Sequence, residues 1–156
     1  MTTFEELLER DGRLVYRIKG VSMNPMLRQN RDLVIIEAPS SRLEKYDVAL
    51  YRRGSDYVLH RVINVLEDRY LIRGDNTYAP ETVYDSSVIG VLTSFQRKGR
   101  YHDVKEPAYR LYVYFWQFIY PLRYAFVRLR RAAVSTARRI GILPFLKRIF
   151  GRENRK

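Results

Sequence analysis

Three short stretches of the chain carry the residue types of nucleophilic catalysis. They are GVSMNPML (Gly20–Leu27), YVLHRVINV (Tyr57–Val65) and LIRGDNTYAPE (Leu71–Glu81). Taken singly, each is ordinary. A serine in a turn commonly serves as a cap, a lone strand histidine is commonly a half-buried packing residue, and Gly-Asp-Asn reads as a turn. Taken together, their chemistry is complementary. A serine hydroxyl is a poor nucleophile near neutral pH until a base takes its proton, and neutral imidazole suits that task. The imidazole in turn needs a carboxylate to fix its tautomer and stabilise the cation that forms. Ser22 and His60 fill the first two roles, and two carboxylates downstream, Asp75 and Glu81, are available for the third. His102 has no such companions and reads as a surface histidine.

These residues need a scaffold, and the hydrophobic pattern describes one. From Gly12 to about Gly99 the chain consists of short runs rich in Val, Ile, Leu and Tyr: RLVYRIK, DLVIIEA, DVALYRR, DYVLHRVINVL, RYLIRG and SVIGVLTSFQR. Gly, Pro, Ser, Asn and Asp separate them, which is the signature of strands joined by turns. Arg53–Asp56 and Leu66–Arg69 read as hairpin turns. One short helix, Phe4–Arg10, precedes the strands. The expected fold is therefore mainly β and antiparallel, over residues 1–106, with a helical appendage over 107–156.

That appendage is chemically different from the rest. From Arg100 onward, 14 Lys and Arg face only Asp103, Glu106 and Glu153, a net of +11 out of a total of +12. The first 99 residues hold 15 basic and 14 acidic residues. After Pro107 the pattern takes on a helical period, with Pro121, Gly141 and Pro144 as punctuation. Arg110, Gln117, Pro121 and Arg128 fall along one stripe, and Arg131, Ser135, Arg138 and Arg139 along a second. Three partners fit such helices: the β domain or a partner protein, an anionic membrane surface, or nucleic acid. Basic charge alone suits nucleic acid, but the interleaved aromatic and aliphatic residues suit lipid better than phosphate. No run of about 18 apolar residues exists to span a bilayer. The acidic, amphipathic N-terminus does not resemble a signal peptide. The absence of cysteine excludes disulfides, thiolate zinc sites and a cysteine nucleophile.

The order and wording of the boxes, GVSMNPML…RDLVII, KYDVALY, YVLHRVINV, YLIRGDN and VIGVLTS, resemble the signal peptidase I superfamily of serine peptidases. That group also includes the self-cleaving domains of phage and SOS-response repressors. The resemblance covers roughly Leu14 to Phe95. It implies that Ser22 is the nucleophile and that His60 stands where many relatives carry a lysine base, as in the endoplasmic-reticulum and archaeal type. It also implies that Asp75, in the intact Gly-Asp-Asn box, orients His60, with Glu81 as a rival because Pro80-Glu81 stands where a further aspartate is expected. Gly20, Met23 and Pro25 are implied at the substrate side, Met23 either as an apolar lip of the cleft or as core packing. The implied reaction is acyl transfer without cofactor or metal, on a peptide bound as an extended strand.

Relatives carry a membrane anchor before the serine box, whereas the twenty or so residues there in this chain are polar. The expectation is a processing peptidase that cuts a leader from a peptide or protein precursor on the cytoplasmic side. It would associate peripherally with an anionic membrane, or with a partner protein, through its C-terminal helices. Two alternatives belong to other classes: a catalytically idle peptide-binding scaffold, and a repressor-like regulator whose tail touches nucleic acid. The latter proteins use lysine as base and place a helix-turn-helix ahead of the peptidase domain.

Overall fold

The computed structural model describes residues 3–139. Helix α1 (Phe4–Asp11) starts at a capping box, in which Thr3 Oγ1 accepts from the Glu6 N–H and the Glu6 carboxylate accepts from the Thr3 N–H. Such reciprocal capping satisfies two otherwise orphaned donors of the first turn. Among the described residues the eight strands are β1 (Arg13–Arg17), β2 (Leu33–Glu37), β3 (Val48–Arg53), β4 (Asp56–Val65), β5 (Arg69–Arg73), β6 (Glu81–Tyr84), β7 (Val88–Arg97) and β8 (Arg100–Asp103). They form one antiparallel sheet in the order β1-β2-β7-β3-β4-β5-β6, with β8 paired to β7. The fold is mainly β with a helical appendage, as the strand-period runs imply. The two hairpin turns fall where expected, at Gly54–Ser55 and between Val65 and Arg69. Strands β6 (ETVY) and β8 (RYHD) are the additions. Both are short and mostly polar, so neither leaves an alternating apolar signal.

The sheet carries a hydrophobic cluster on each face. Val48, Leu50 and Leu59 belong to one, together with Met23, Met26, Leu27, Ile36 and Phe95. Ala49, Tyr51, Val62, Tyr70 and Ile72 belong to the other. Because successive strand residues point to opposite faces, β4 sends His60 and Val62 one way and Leu59 and Arg61 the other. This two-sided burial is why β3 and β4 read as continuous apolar runs rather than clean alternations.

The chain divides into two compact units, Met1–Trp116 and Gln117–Lys156. Most of helix α2 (Pro107–Phe118), which the sequence pattern assigns to the appendage, belongs to the first unit. Val113 is buried, Tyr109 meets Phe95 with ring centroids 6.0 Å apart, and Tyr114 stands edge-on to Tyr46 at 5.7 Å. The aromatics that gave the tail its separate composition are in part the residues that dock it. Helix α3 (Tyr120–Arg139) forms most of the described part of the second unit. Pro121 stands in its first turn, where a missing N–H breaks no helical hydrogen bond. Gly141 and Pro144, expected as later punctuation, lie outside the described residues. Among the described residues no helix is long and apolar enough to cross a membrane.

Candidate active site

Ser22 sits in a turn between β1 and β2 that is fixed from several sides. The Asn24 N–H bonds the Val21 carbonyl at 3.1 Å, and the Leu27 N–H bonds the Met23 carbonyl at 2.9 Å. Gly20 enters the turn at φ +80°, a left-handed conformation that side chains other than glycine disfavour, and its N–H bonds Gln29 Oε1. Beneath the turn, Met23, Met26 and Leu27 are buried in the core. After it, the buried Asp32 carboxylate is gripped by Nε and one terminal nitrogen of Arg31, each at 2.6 Å, and by the Arg28 N–H at 2.9 Å. Ser22 itself remains partly exposed while its neighbours are locked.

The Gly-Asp-Asn loop after β5 holds this turn against His60. The Asn76 N–H donates to the Ser22 carbonyl at 2.7 Å, and Asn76 Nδ2 donates to the Val21 carbonyl at 3.3 Å. Gly74 is buried between the two catalytic candidates. A Cβ at this position would lie 2.7 Å from the Ser22 carbonyl oxygen and 3.0 Å from His60 Nε2. The first contact is too close for carbon and the second is tight, so the loop brings the serine turn and the imidazole this close with glycine there. Gly74→Ala is therefore expected to displace the Ser22 turn, at a cost of about 1–3 kcal/mol in urea unfolding.

His60 is buried on β4, and its other nitrogen is occupied. Nδ1 lies 3.0 Å from Glu81 Oε1, at the start of β6. The Tyr51 hydroxyl, on β3, stands 3.2 Å from the same nitrogen and donates to the same Glu81 oxygen. Arg53 adds a contact to Glu81 Oε2 at 3.4 Å. A carboxylate facing Nδ1 places the proton there and leaves Nε2, the nitrogen beside the Ser22 segment, as the unprotonated base. Burial pushes the His60 pKa below its ordinary 6.5, and the Glu81 hydrogen bond and charge offset only part of that. The imidazole is thus neutral at physiological pH, as a base must be. Burial alone would raise Glu81, but the Tyr51 hydrogen bond, His60 and Arg53 outweigh it and hold the carboxyl below its usual range. Burial and the adjacent Glu81 push the Tyr51 phenol up, so it stays protonated and donating.

Asp75, expected as the partner of His60, is clamped elsewhere. Its two oxygens accept from Arg61 Nε and a terminal nitrogen of the same guanidinium, each at 2.8 Å, and both side chains are fully buried. Arg61 also donates to the Tyr46 carbonyl, the Tyr109 hydroxyl and Met26 Sδ. The reason is the strand period: Arg61 follows His60 and points to the opposite face, and Asp75 neutralises that buried cation. Its charge still reaches His60, but the contact at Nδ1 belongs to Glu81. The Trp116 indole N–H donates to the Asp75 carbonyl at 2.9 Å, which ties α2 to the same loop.

Ser22 and His60 line one cleft of about 630 Å³, together with Tyr16, Ile18 and Lys19 on or beside β1, and Tyr57 of β4. Phe4 of α1 closes one wall, stacked on Tyr57 at 4.4 Å and tilted against Tyr16 at 5.2 Å. Strand β1 is an edge strand, paired with β2 alone among the described strands. The residues implied at the substrate side occupy three different places. Gly20 remains at the exposed entry to the serine turn. Met23 is 1% exposed and belongs to the core rather than to a lip. Pro25, joined to Asn24 by a cis peptide bond, lines a separate cavity with Met26, Phe95 and Tyr112. Tyr51 and the aromatic wall carried no motif, because only strand register places Tyr51 diagonally beside His60 (Tyr51 opposite Val58, His60 opposite Ala49). Compared with known proteins, the chain matches no protein-family model and no curated protein.

Proposed function

We propose that this protein is a serine endopeptidase that removes a leader-like segment from a peptide or protein precursor. The observation that carries the proposal is the arrangement around His60. A carboxylate holds Nδ1, while Nε2 and the Ser22 backbone converge on the one position where only glycine fits. In the proposed reaction Ser22 Oγ attacks the scissile carbonyl as His60 Nε2 takes its proton. Backbone N–H groups of the Ser22 turn receive the oxyanion. His60 then protonates the leaving amine, and a water activated by His60 hydrolyses the ester. Glu81 acts as a positioning residue, with Tyr51 and Arg53 holding its carboxylate.

A peptide is the substrate class favoured by the edge strand. Strand β1 stands at the edge of the sheet and leads into the cleft, and an extended peptide can pair with such an edge through main-chain hydrogen bonds. The resemblance to signal peptidases supports the same reading, in its serine–histidine form. A panel of leader-like peptides incubated with wild type and with Ser22→Ala tests it. Cleavage at a defined bond by wild type alone is the expected result, and equal cleavage by Ser22→Ala removes the proposal.

The pH dependence follows from the direction of the His60 shift. As pH rises, kcat/KM should climb through a midpoint below 6.5 and then level off, because protonated His60 cannot act as base. Glu81 raises the His60 pKa, so removing its charge moves that midpoint further toward acid. Glu81→Gln is expected to lower kcat by about 10⁴-fold and to shift the acid limb to lower pH. A midpoint that stays in place or moves toward neutrality would show that Glu81 does not face the working imidazole.

A further inference from the structure

We infer that helix α3 is a membrane-docking element that lies in the headgroup region of an anionic bilayer. This inference concerns the second unit alone and holds independently of the peptidase proposal. Between Gln117 and Arg139 the sequence contains no Asp or Glu, whereas Arg123, Arg128, Arg130, Arg131, Arg138 and Arg139 are all cationic. At 100° per residue, Leu122, Ala125, Phe126, Leu129, Ala132 and Ala133 of α3, with Thr136, fall within an arc of about 120° that contains no arginine. Arg128 and Arg139 border this arc on one side, and Arg123 and Arg130 border it on the other. The large apolar side chains of the arc are uncovered, with Leu122 73%, Phe126 67% and Leu129 71% exposed.

Each class of occupant meets this surface differently. A nucleic acid would satisfy the arginines and leave the apolar arc in water. A protein groove would have to supply both an apolar floor and an acidic rim on each side of the helix. A lipid surface does both at once: acyl chains take Leu122, Phe126 and Leu129, while the flanking arginines extend outward to the phosphates. Spanning is not the mode, since among the described residues no helix is long and apolar enough to cross. The absence of any acidic residue near the stripe selects anionic over neutral lipid, because every charge on the helix then works in the same direction.

Co-sedimentation of the full-length chain with vesicles tests the inference. Vesicles of phosphatidylcholine alone are compared with vesicles that also contain phosphatidylglycerol. Wild type should pellet with the anionic vesicles, weakly or not at all with the neutral ones, and less as salt rises. The variant Arg123→Gln/Arg128→Gln/Arg130→Gln should bind on the order of 100-fold more weakly, roughly fivefold per arginine. Leu122→Ser/Phe126→Ser/Leu129→Ser should lose vesicle binding while keeping the wild-type unfolding midpoint, since all three side chains are exposed. Equal partition of wild type onto both kinds of vesicle, or no partition at all, overturns the inference. So does anionic binding that survives the triple serine change, or retention of random duplex DNA with no retention of vesicles.

Discussion

Ser22→Ala and His60→Ala are each expected to lower kcat for precursor cleavage by about 10⁶-fold, and the double variant by no more than either alone. The lack of additivity is the informative part. When a hydroxyl and its base act as one unit, removing either removes the whole contribution, and what remains comes from binding and oxyanion stabilisation. The geometry links the pair through Gly74, where the Ser22 carbonyl and His60 Nε2 approach the same point. Folding should be unaffected by the serine change, because Ser22 is partly exposed and the turn is held by backbone bonds from Asn24 and Asn76. Steady-state kinetics on the three variants would check this, with urea midpoints as the control. Additive losses would indicate that the two residues act in separate steps.

The second large effect concerns stability. Asp75→Ala should cost about 3–5 kcal/mol, because it leaves the fully buried Arg61 guanidinium without its counter-charge. A small domain has only about 5–15 kcal/mol of stability in total, so this single change should bring the protein close to unfolding. Replacing both partners, as in Arg61→Met/Asp75→Leu, should recover most of the loss, since a well-packed apolar pair avoids the desolvation of two charges. Glu81→Gln offers the contrast. Glu81 is partly exposed, so its contribution to stability is on the order of 1 kcal/mol or less, while its expected effect on turnover is large. Urea denaturation of the three variants separates the roles: Asp75 holds the loop together, and Glu81 serves the imidazole. A stable Asp75→Ala protein with wild-type unfolding would contradict the assignment.

This division of labour between two carboxylates was only half legible in the sequence. The strand runs, the helix before them and the order of the serine, histidine and Gly-Asp-Asn boxes all follow from local pattern, since turn chemistry and period are local properties. Which acid meets His60 is a property of facing and register. His60 and Arg61 are neighbours in sequence but point to opposite sides of β4, and the intact Gly-Asp-Asn motif serves Arg61. Glu81 lies beyond a polar loop, on a short strand whose residues, ETVY, announce nothing. Tyr51 was equally hidden, since it reaches His60 Nδ1 from the neighbouring strand. Met23 reads in its motif either as a lip of the cleft or as core packing, and the turn folds it inward as an anchor.

The helical third was legible in charge but not in extent. Its excess of arginine and of aromatic and aliphatic residues is plain in the composition, yet the apolar ones have two destinations. Tyr109, Val113 and Trp116 recur at three- to four-residue spacing and fasten α2 to the β unit. Leu122, Phe126 and Leu129 recur at the same spacing and remain uncovered. Periodicity identifies an apolar face without identifying what it meets.

The central claim is that Ser22 is a nucleophile activated by His60. Intact-mass analysis after treatment with a serine-directed acylating probe measures this most directly, with peptide mapping to locate the adduct. The expected result is one added probe mass on wild type, mapped to Ser22, with none on Ser22→Ala and far slower addition on His60→Ala. Absence of an adduct on wild type, or labelling of Ser22→Ala at the same rate, would contradict the claim.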